Sequence, residues 1–153
     1  MFGLFQKKPV DYFNPTEKEA IIEAIRLAEL KTSGEVRIYI EGKCKQADPV
    51  DRAREIFHQL KMDKTQVRNG VLIYMAMKDR RLAVYGDEGI HNKVGMEFWN
   101  SEVKAMLAQF NQHNYTAGLV QIIQDIGEAL VLHFPYDATM DKNELPDDIV
   151  FGK

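Results

Sequence analysis

Residues 69–89 read NGVLIYMAMKDRRLAVYGDEG, and the fold follows from how this stretch divides. Gly70 to Met77 is an almost wholly apolar run that suits a central strand, and Arg81 to Tyr85 alternates as a second strand would. The polar turn Lys78-Asp79-Arg80 between them is short, so the two strands pair antiparallel. The run stops at Gly86-Asp87-Glu88-Gly89, where two glycines free the backbone around adjacent carboxylates at the mouth of a strand. A functional site is expected there.

Upstream, Glu35-Val36-Arg37-Ile38-Tyr39-Ile40-Glu41 alternates strictly and predicts a half-covered strand with Val36, Ile38 and Ile40 on its inner face. Between this strand and Gly70 lies a helix that starts at Asp48-Pro49, with Asp51 in its first turn and an apolar face of Val50, Ala53, Ile56, Phe57 and Leu60. The polar stretch Met62 to Arg68 then predicts a loop. A connection of this length is a crossover between parallel strands, so the sheet is mixed.

Before the first strand, Asn14-Pro15-Thr16-Glu17 combines a cap, a proline at the first helical position and a capping-box glutamate. Ile21, Ile25 and Ala28 recur at helical spacing, and the helix is predicted over about 15 to 32, stopped by Ser33-Gly34. Past Gly89, Ile90 to Val94 suits one short helical turn, Glu97 to Phe110 a helix carrying Trp99, Val103, Met106 and Leu107, and Tyr115 to Phe134 the last long helix. Helix, strand, helix, strand, strand, helix, helix describes an open, mixed, twisted α/β sheet with helices packed over it. Ile73, Val84, Trp99 and Ile123 are expected in the core.

The chain length of 153 residues supports one domain with a real core. Residues 1–13 read as an extension, 14–135 as the domain and 136–153 as an acidic tail, within which Ile149, Val150 and Phe151 can dock locally. The net charge of −3 calls for no polyanionic partner, so nucleic acid is not expected. The one cysteine, Cys44, rules out an internal disulfide and is expected to be an exposed thiol between Lys43 and Lys45. No apolar run reaches the roughly 18 to 20 residues of a membrane span, and MFGLFQKK lacks the features of a signal peptide. A cytoplasmic monomer with no membrane association is the expectation.

Three motifs in order, Ser33-Gly34-Glu35 opening a strand, Asn69-Gly70-Val71-Leu72-Ile73 opening the next, and Tyr85-Gly86-Asp87-Glu88-Gly89-Ile90 closing a hairpin, resemble the TPM domain over about residues 14 to 134. That family includes thylakoid-lumen acid phosphatase-like proteins of plants and many bacterial proteins of unassigned role. The resemblance implies a Rossmann-like αβα sandwich with helices on both faces, a calcium-binding acidic pocket and, for some members, phosphatase activity. Carried over by motif, Asp87 and Glu88 are the pocket's carboxylates, with Asn69, Gly34 and Glu35 in adjoining loops. The chain differs from many bacterial members in showing no carboxy-terminal span and no export signal.

The residues themselves leave two readings of the acidic turn open. Calcium takes six to eight oxygens, carbonyls among them, and Asp87 and Glu88 beside freed carbonyls suit it. Equally, Gly-Asp-Glu-Gly is a tight turn in which Asp87 caps the following helix. Glu35 on an alternating strand suits a solvated face as well as a ligand, and Asn69 suits a local turn. For phosphate hydrolysis a cation is needed to hold the phosphate. Arg68 is better placed than Arg80 or Arg81, which sit at the far end of the hairpin, roughly 17 Å away. His91, two residues past Gly89, can line the pocket, but the sequence better suits an ordinary helix-surface histidine. No P-loop, dinucleotide fingerprint, CxxC, HExxH or nucleophile elbow occurs, so no complete catalytic set supports an enzyme. With the acidic pocket that the resemblance implies, a calcium-binding domain is the leading expectation, and an acid phosphatase and a protein-interaction module are the alternatives.

Overall fold

Asn14 caps the first helix as its motif predicts: its Oδ1 accepts from Glu17 N at 2.8 Å, and Asn14 N donates back to Glu17 Oε1 at 2.9 Å. The computed structural model describes residues 8–136 and 149–152, so the first residues and the tail charges Asp137, Asp141, Lys142, Glu144, Asp147 and Asp148 lie outside the described residues. Helix α1 runs Pro15–Glu29, strand β1 Glu35–Glu41, α2 Pro49–Gln59, β2 Gly70–Ala76 and β3 Arg81–Gly86. Then follow α3 Glu88–Val94, α4 Met96–Asn111, α5 Tyr115–His133 and β4 Ile149–Phe151. Asp48 caps α2 through Val50 N at 2.9 Å.

The sheet order is β3-β2-β1-β4, with β1 parallel to both β2 and β4 and the β2–β3 hairpin antiparallel. The mixed sheet is as predicted except for its fourth strand. Ile149–Phe151 docks as a strand beside Ile38–Ile40, a pairing across more than a hundred residues that no local pattern in three residues announces.

One layer packs Val36, Ile38, Ile40, Val71, Ile73 and Val84 against Ile21, Ile25, Trp99, Ile123 and Ile126 of α1, α4 and α5. The other packs Leu72, Tyr74 and Ala83 against Ala53, Ile56 and Phe57 of α2. Every residue of β2 is buried, which is the αβα sandwich in its plainest form. Each large side chain so buried contributes roughly 1.5 to 3 kcal/mol.

Strand β1 is half covered as expected: Val36, Ile38 and Ile40 are buried on one face, while Arg37 and Tyr39 on the other are half-buried between buried Glu35 and Glu41. Two local expectations are corrected. The loop after α2 is not wholly polar in effect: Met62 is fully buried and closes the α2 layer. Cys44 is half-buried, and its thiol donates to Gln46 O at 3.3 Å.

At the carboxyl ends of β1 and β2 a polar network shuts the sheet. Arg52 holds buried Glu41 through two bonds, Nε to Oε2 at 2.8 Å and Nη2 to Oε1 at 2.9 Å, and the Tyr74 hydroxyl donates to the same carboxylate. Asp79 accepts from Cys44 N at 2.7 Å, and Arg81 reaches the carbonyls of Gln46 and Ala47.

Where α4 meets α5, Glu102 faces Asp125 and Glu128. Burial pushes the Glu102 carboxyl up to about 8, helped by its hydrogen bond with Asp125 and the charges of Asp125 and Glu128. An unfolded chain releases this proton near 4.5, so the native state holds it longer. Stability is therefore full below about 4.5 and declines as pH rises towards about 8. Glu102→Gln should flatten that decline, read from urea midpoints at pH 5 and pH 8.5.

Candidate functional site

Asp87 leaves the hairpin in extended conformation and caps α3, its Oδ1 accepting from Glu88 N at 2.8 Å while its carbonyl accepts from His91 N, also at 2.8 Å. Its side chain is almost wholly buried. Arg68 grips it with both arms, Nε to Oδ2 at 2.7 Å and Nη2 to Oδ1 at 2.9 Å. A two-armed guanidinium bond is the strong, directional form of this pairing. Arg68 also lies 3.4 Å from Glu88 Oε1. The Arg68 side chain is 39% exposed and that of Asp87 only 3%, so the pair has a fixed acidic half and a solvent-reachable basic half.

Backbone geometry makes the grip possible. Arg68 has φ +54°, a left-handed conformation unusual for a side chain of its size, and its carbonyl accepts from Ile90 N at 3.3 Å. The loop before β2 and the start of α3 therefore touch directly. Gly89 sits in that contact: a methyl there would lie 2.5 Å from Arg68 O and closer still to Val67 O.

Asn69 is fully buried. Its Nδ2 donates to Ser33 Oγ at 3.1 Å, and its Oδ1 has no hydrogen-bond partner among the described residues. Glu35 N donates to Asn69 O at 3.4 Å, and Asp87 N donates to Gly70 O at 2.9 Å. Gly34 N is held by Thr32 Oγ1 at 3.0 Å, and Leu130 packs where a side chain on Gly34 would go. The three loops carrying Gly34-Glu35, Asn69 and Asp87 thus meet at one end of the sheet. Glu35 is buried there, whereas the Glu88 side chain is 66% exposed at the rim.

This end holds the amino termini of parallel β1 and β2 and the carboxyl end of β3. Open α/β sheets ordinarily present ligands at the carboxyl ends of their parallel strands. Here those ends are the ones closed by Glu41 and Arg52. Among the described residues no three His, Cys, Asp or Glu side chains are grouped to hold a metal ion, so a cation at this mouth would lean on amide and main-chain oxygens as well.

A cleft of about 920 Å³ opens beside the mouth, lined in part by Arg68, Asp87, Glu88, His91, Trp99 and Lys104. His91 Nδ1 accepts from Trp99 Nε1 at 3.0 Å, which leaves Nε2 as the protonated nitrogen of the neutral ring. His91 was legible as a neighbour of Gly89. Trp99 carried only a core signal, and its role in orienting His91 comes from α4 folding back over Gly86.

The fold and the mouth define a class: an αβα layered domain with an arginine-clasped acidic turn at the amino end of a parallel strand pair. The family model of the TPM domain matches residues 7–129, and the chain belongs to that family. The solved structure of BA42 protein from the psychrophilic bacterium Bizionia argentinensis is 44% identical, covers 92% of this chain and 95% of its own, and superposes with a TM-score of 0.82. Two more distant structures share the fold. The N-terminal domain of cg2496 protein from Corynebacterium glutamicum is 9% identical with a TM-score of 0.61, over 90% of this chain and 80% of that one. The N-terminal domain of a P. gingivalis protein is 16% identical with a TM-score of 0.66, over 82% of each. No curated protein matches. No helix among the described residues is long and apolar enough to cross a membrane.

Gly89→Ala should cost about 1 to 3 kcal/mol, because the obstructing atoms are main-chain carbonyls that cannot turn aside. A guanidinium unfolding curve checks it. Gly95→Ala, where a methyl would meet nothing within 4 Å but φ is +80°, isolates the separate effect of backbone strain.

Proposed function

We propose that this TPM domain binds a divalent cation, calcium by the chemistry of its donors, at the mouth formed by Asp87, Glu88, Asn69, Glu35 and Gly34. The observation that carries this reading is Asn69 Oδ1, a fully buried amide oxygen with no hydrogen-bond partner among the described residues, beside the loop that anchors Asp87. An orphaned buried acceptor costs roughly 1 to 3 kcal/mol, and a hard cation that accepts amide, carbonyl and carboxylate oxygens together relieves that cost.

The donor set fits such an ion with one rearrangement. Arg68 neutralises Asp87 and occupies both of its oxygens. Its side chain is solvent-reachable and leaves only as the cation supplies Asp87 with a replacement charge, while Asp87 stays anchored by its capping bond to Glu88 N and its main-chain bond to Gly70. Cation and guanidinium therefore compete for one carboxylate. The rim carboxylate of Glu88 and the main-chain oxygens around Gly34 and Gly86 are the further donors, and the bound ion supplies a fixed positive charge in place of the mobile one.

Calcium titration followed by NMR should shift the amides of Asn69, Asp87 and Glu88. Asp87→Ala should abolish the shifts, and Arg68→Ala should tighten binding about tenfold, roughly 1.4 kcal/mol, by removing the competitor. Unchanged spectra across the titration would remove the idea.

A second reading, hydrolysis of a phosphate ester, is favoured by the cationic groups beside the same mouth: Arg54, Arg68 and Lys104 line the cleft with His91. Arg68, released from Asp87 by a cation, becomes a two-armed phosphate ligand. Turnover of a generic phosphate ester that rises with calcium and is lost in Asp87→Asn would establish it, while cation binding without turnover leaves the first reading alone.

A further inference from the structure

The sheet ends on one side at β3, and its register decides which backbone groups remain unused. Asp87 N donates to Gly70 O, so antiparallel alternation turns Tyr85, Ala83 and Arg81 towards β2 and aims the N–H and C=O of Leu82, Val84 and Gly86 outwards. No described residue is hydrogen-bonded to those outward groups. As whole residues Leu82 and Val84 are only 5% and 6% exposed, so this edge is recessed and its outward groups face the cleft. Native proteins usually pair an edge strand or blunt it with charge, proline or a bulge. Beyond Arg81 at its start, β3 carries no charge and no proline.

The edge is recessed because it forms the floor of the cleft of about 920 Å³, whose two walls are α4 and α2. The walls differ in chemistry. On the α4 side Met96, Val103 and Leu107 present apolar surface, with Met96 60% exposed. On the α2 side Arg54 and His58 stand with Val50 and the helix-capping Asp48, and the only described ion pair of Arg54 is a solvent-exposed one with Asp51; Lys104 adds a further positive charge from the α4 side. A strand laid along the floor would have one set of side chains against each wall, because successive side chains of a strand point to opposite faces.

We propose that this cleft is a binding site for an extended segment of a partner protein, which adds to β3 as a fifth strand. The occupant pairs its main chain with Leu82, Val84 and Gly86, places alternate apolar side chains against α4, and sets acidic ones against Arg54 and His58. Main-chain pairing supplies the affinity, and the apolar-acidic alternation supplies the choice of partner. The site adjoins the cation mouth, sharing Gly86, Asp87 and Glu88 at one end of the cleft, but its pairing with β3 needs no cation.

The probe is a blocked hexapeptide alternating valine and glutamate, added to the isotope-labelled full chain in calcium-free buffer. In the free protein the amides of Leu82, Val84 and Gly86 should exchange rapidly, and saturating peptide should slow them at least tenfold. The same peptide N-methylated at alternate residues, which cannot pair, should bind at least tenfold more weakly, as should a valine–lysine version. Val103→Glu, on the apolar wall, should weaken binding by a similar factor with an unchanged circular dichroism spectrum. Slow exchange of the three amides before any peptide is added would overturn the proposal, as would absence of binding at millimolar peptide or indifference to N-methylation. Sedimentation showing that a second copy of the chain covers β3 would overturn it too.

Discussion

Complete burial of β2 is the constraint on which the rest of the structure depends. A strand of seven residues with no side chain left in water needs cover on both faces, and no single helix supplies that. Helix α2 covers one face, and α1, α4 and α5 share the other. Because α2 lies between β1 and β2 in the chain, those strands run parallel, and their amino ends fall together. The hairpin then returns β3 to the same end. The mouth at Asn69 and Asp87 is thus a consequence of how the central strand is buried.

The two ends of the sheet have been given opposite electrostatic treatment. At the carboxyl end both partners of the Glu41–Arg52 pair are nearly inaccessible, and their remaining bonds go to Tyr74 and Glu55, so the network is saturated. Exchanging either charge for solvent or ligand there is costly, since it strands the other in low dielectric. At the amino end the same two-armed pairing joins Arg68 to Asp87, but the arginine is reachable by water. The buried acid there has a solvent-reachable counter-charge, and that asymmetry separates the candidate site from the structural network.

Much of this was legible because it is written in local patterns. Asn14-Pro15-Thr16-Glu17 and Asp48-Pro49 start helices where they should, and the alternation of Glu35–Glu41 matches β1 residue for residue. The double reading of Asp87, as helix cap and as site carboxylate, was also open in the sequence, and its cap bond is now seen. What stayed hidden depends on distant neighbours. Ile149–Phe151 is three ordinary residues until β1 offers an edge, and Trp99 is one more core aromatic until α4 brings it over Gly86 and His91.

Sequence alone therefore determined the kinds of element, their order, the mixed sheet and the acidic tetrapeptide that ends the hairpin and caps α3, because hydrophobic period, caps and glycines act within a few residues of themselves. Tertiary structure alone decided which end of the sheet is closed and that Arg68 clasps Asp87. It also decided that Asn69 is buried with an unanswered oxygen and that the outer edge of β3 lies at the bottom of a cleft. Each of those is a pairing or an exclusion of water between segments far apart in the chain, and such energies exist only once the layers have packed.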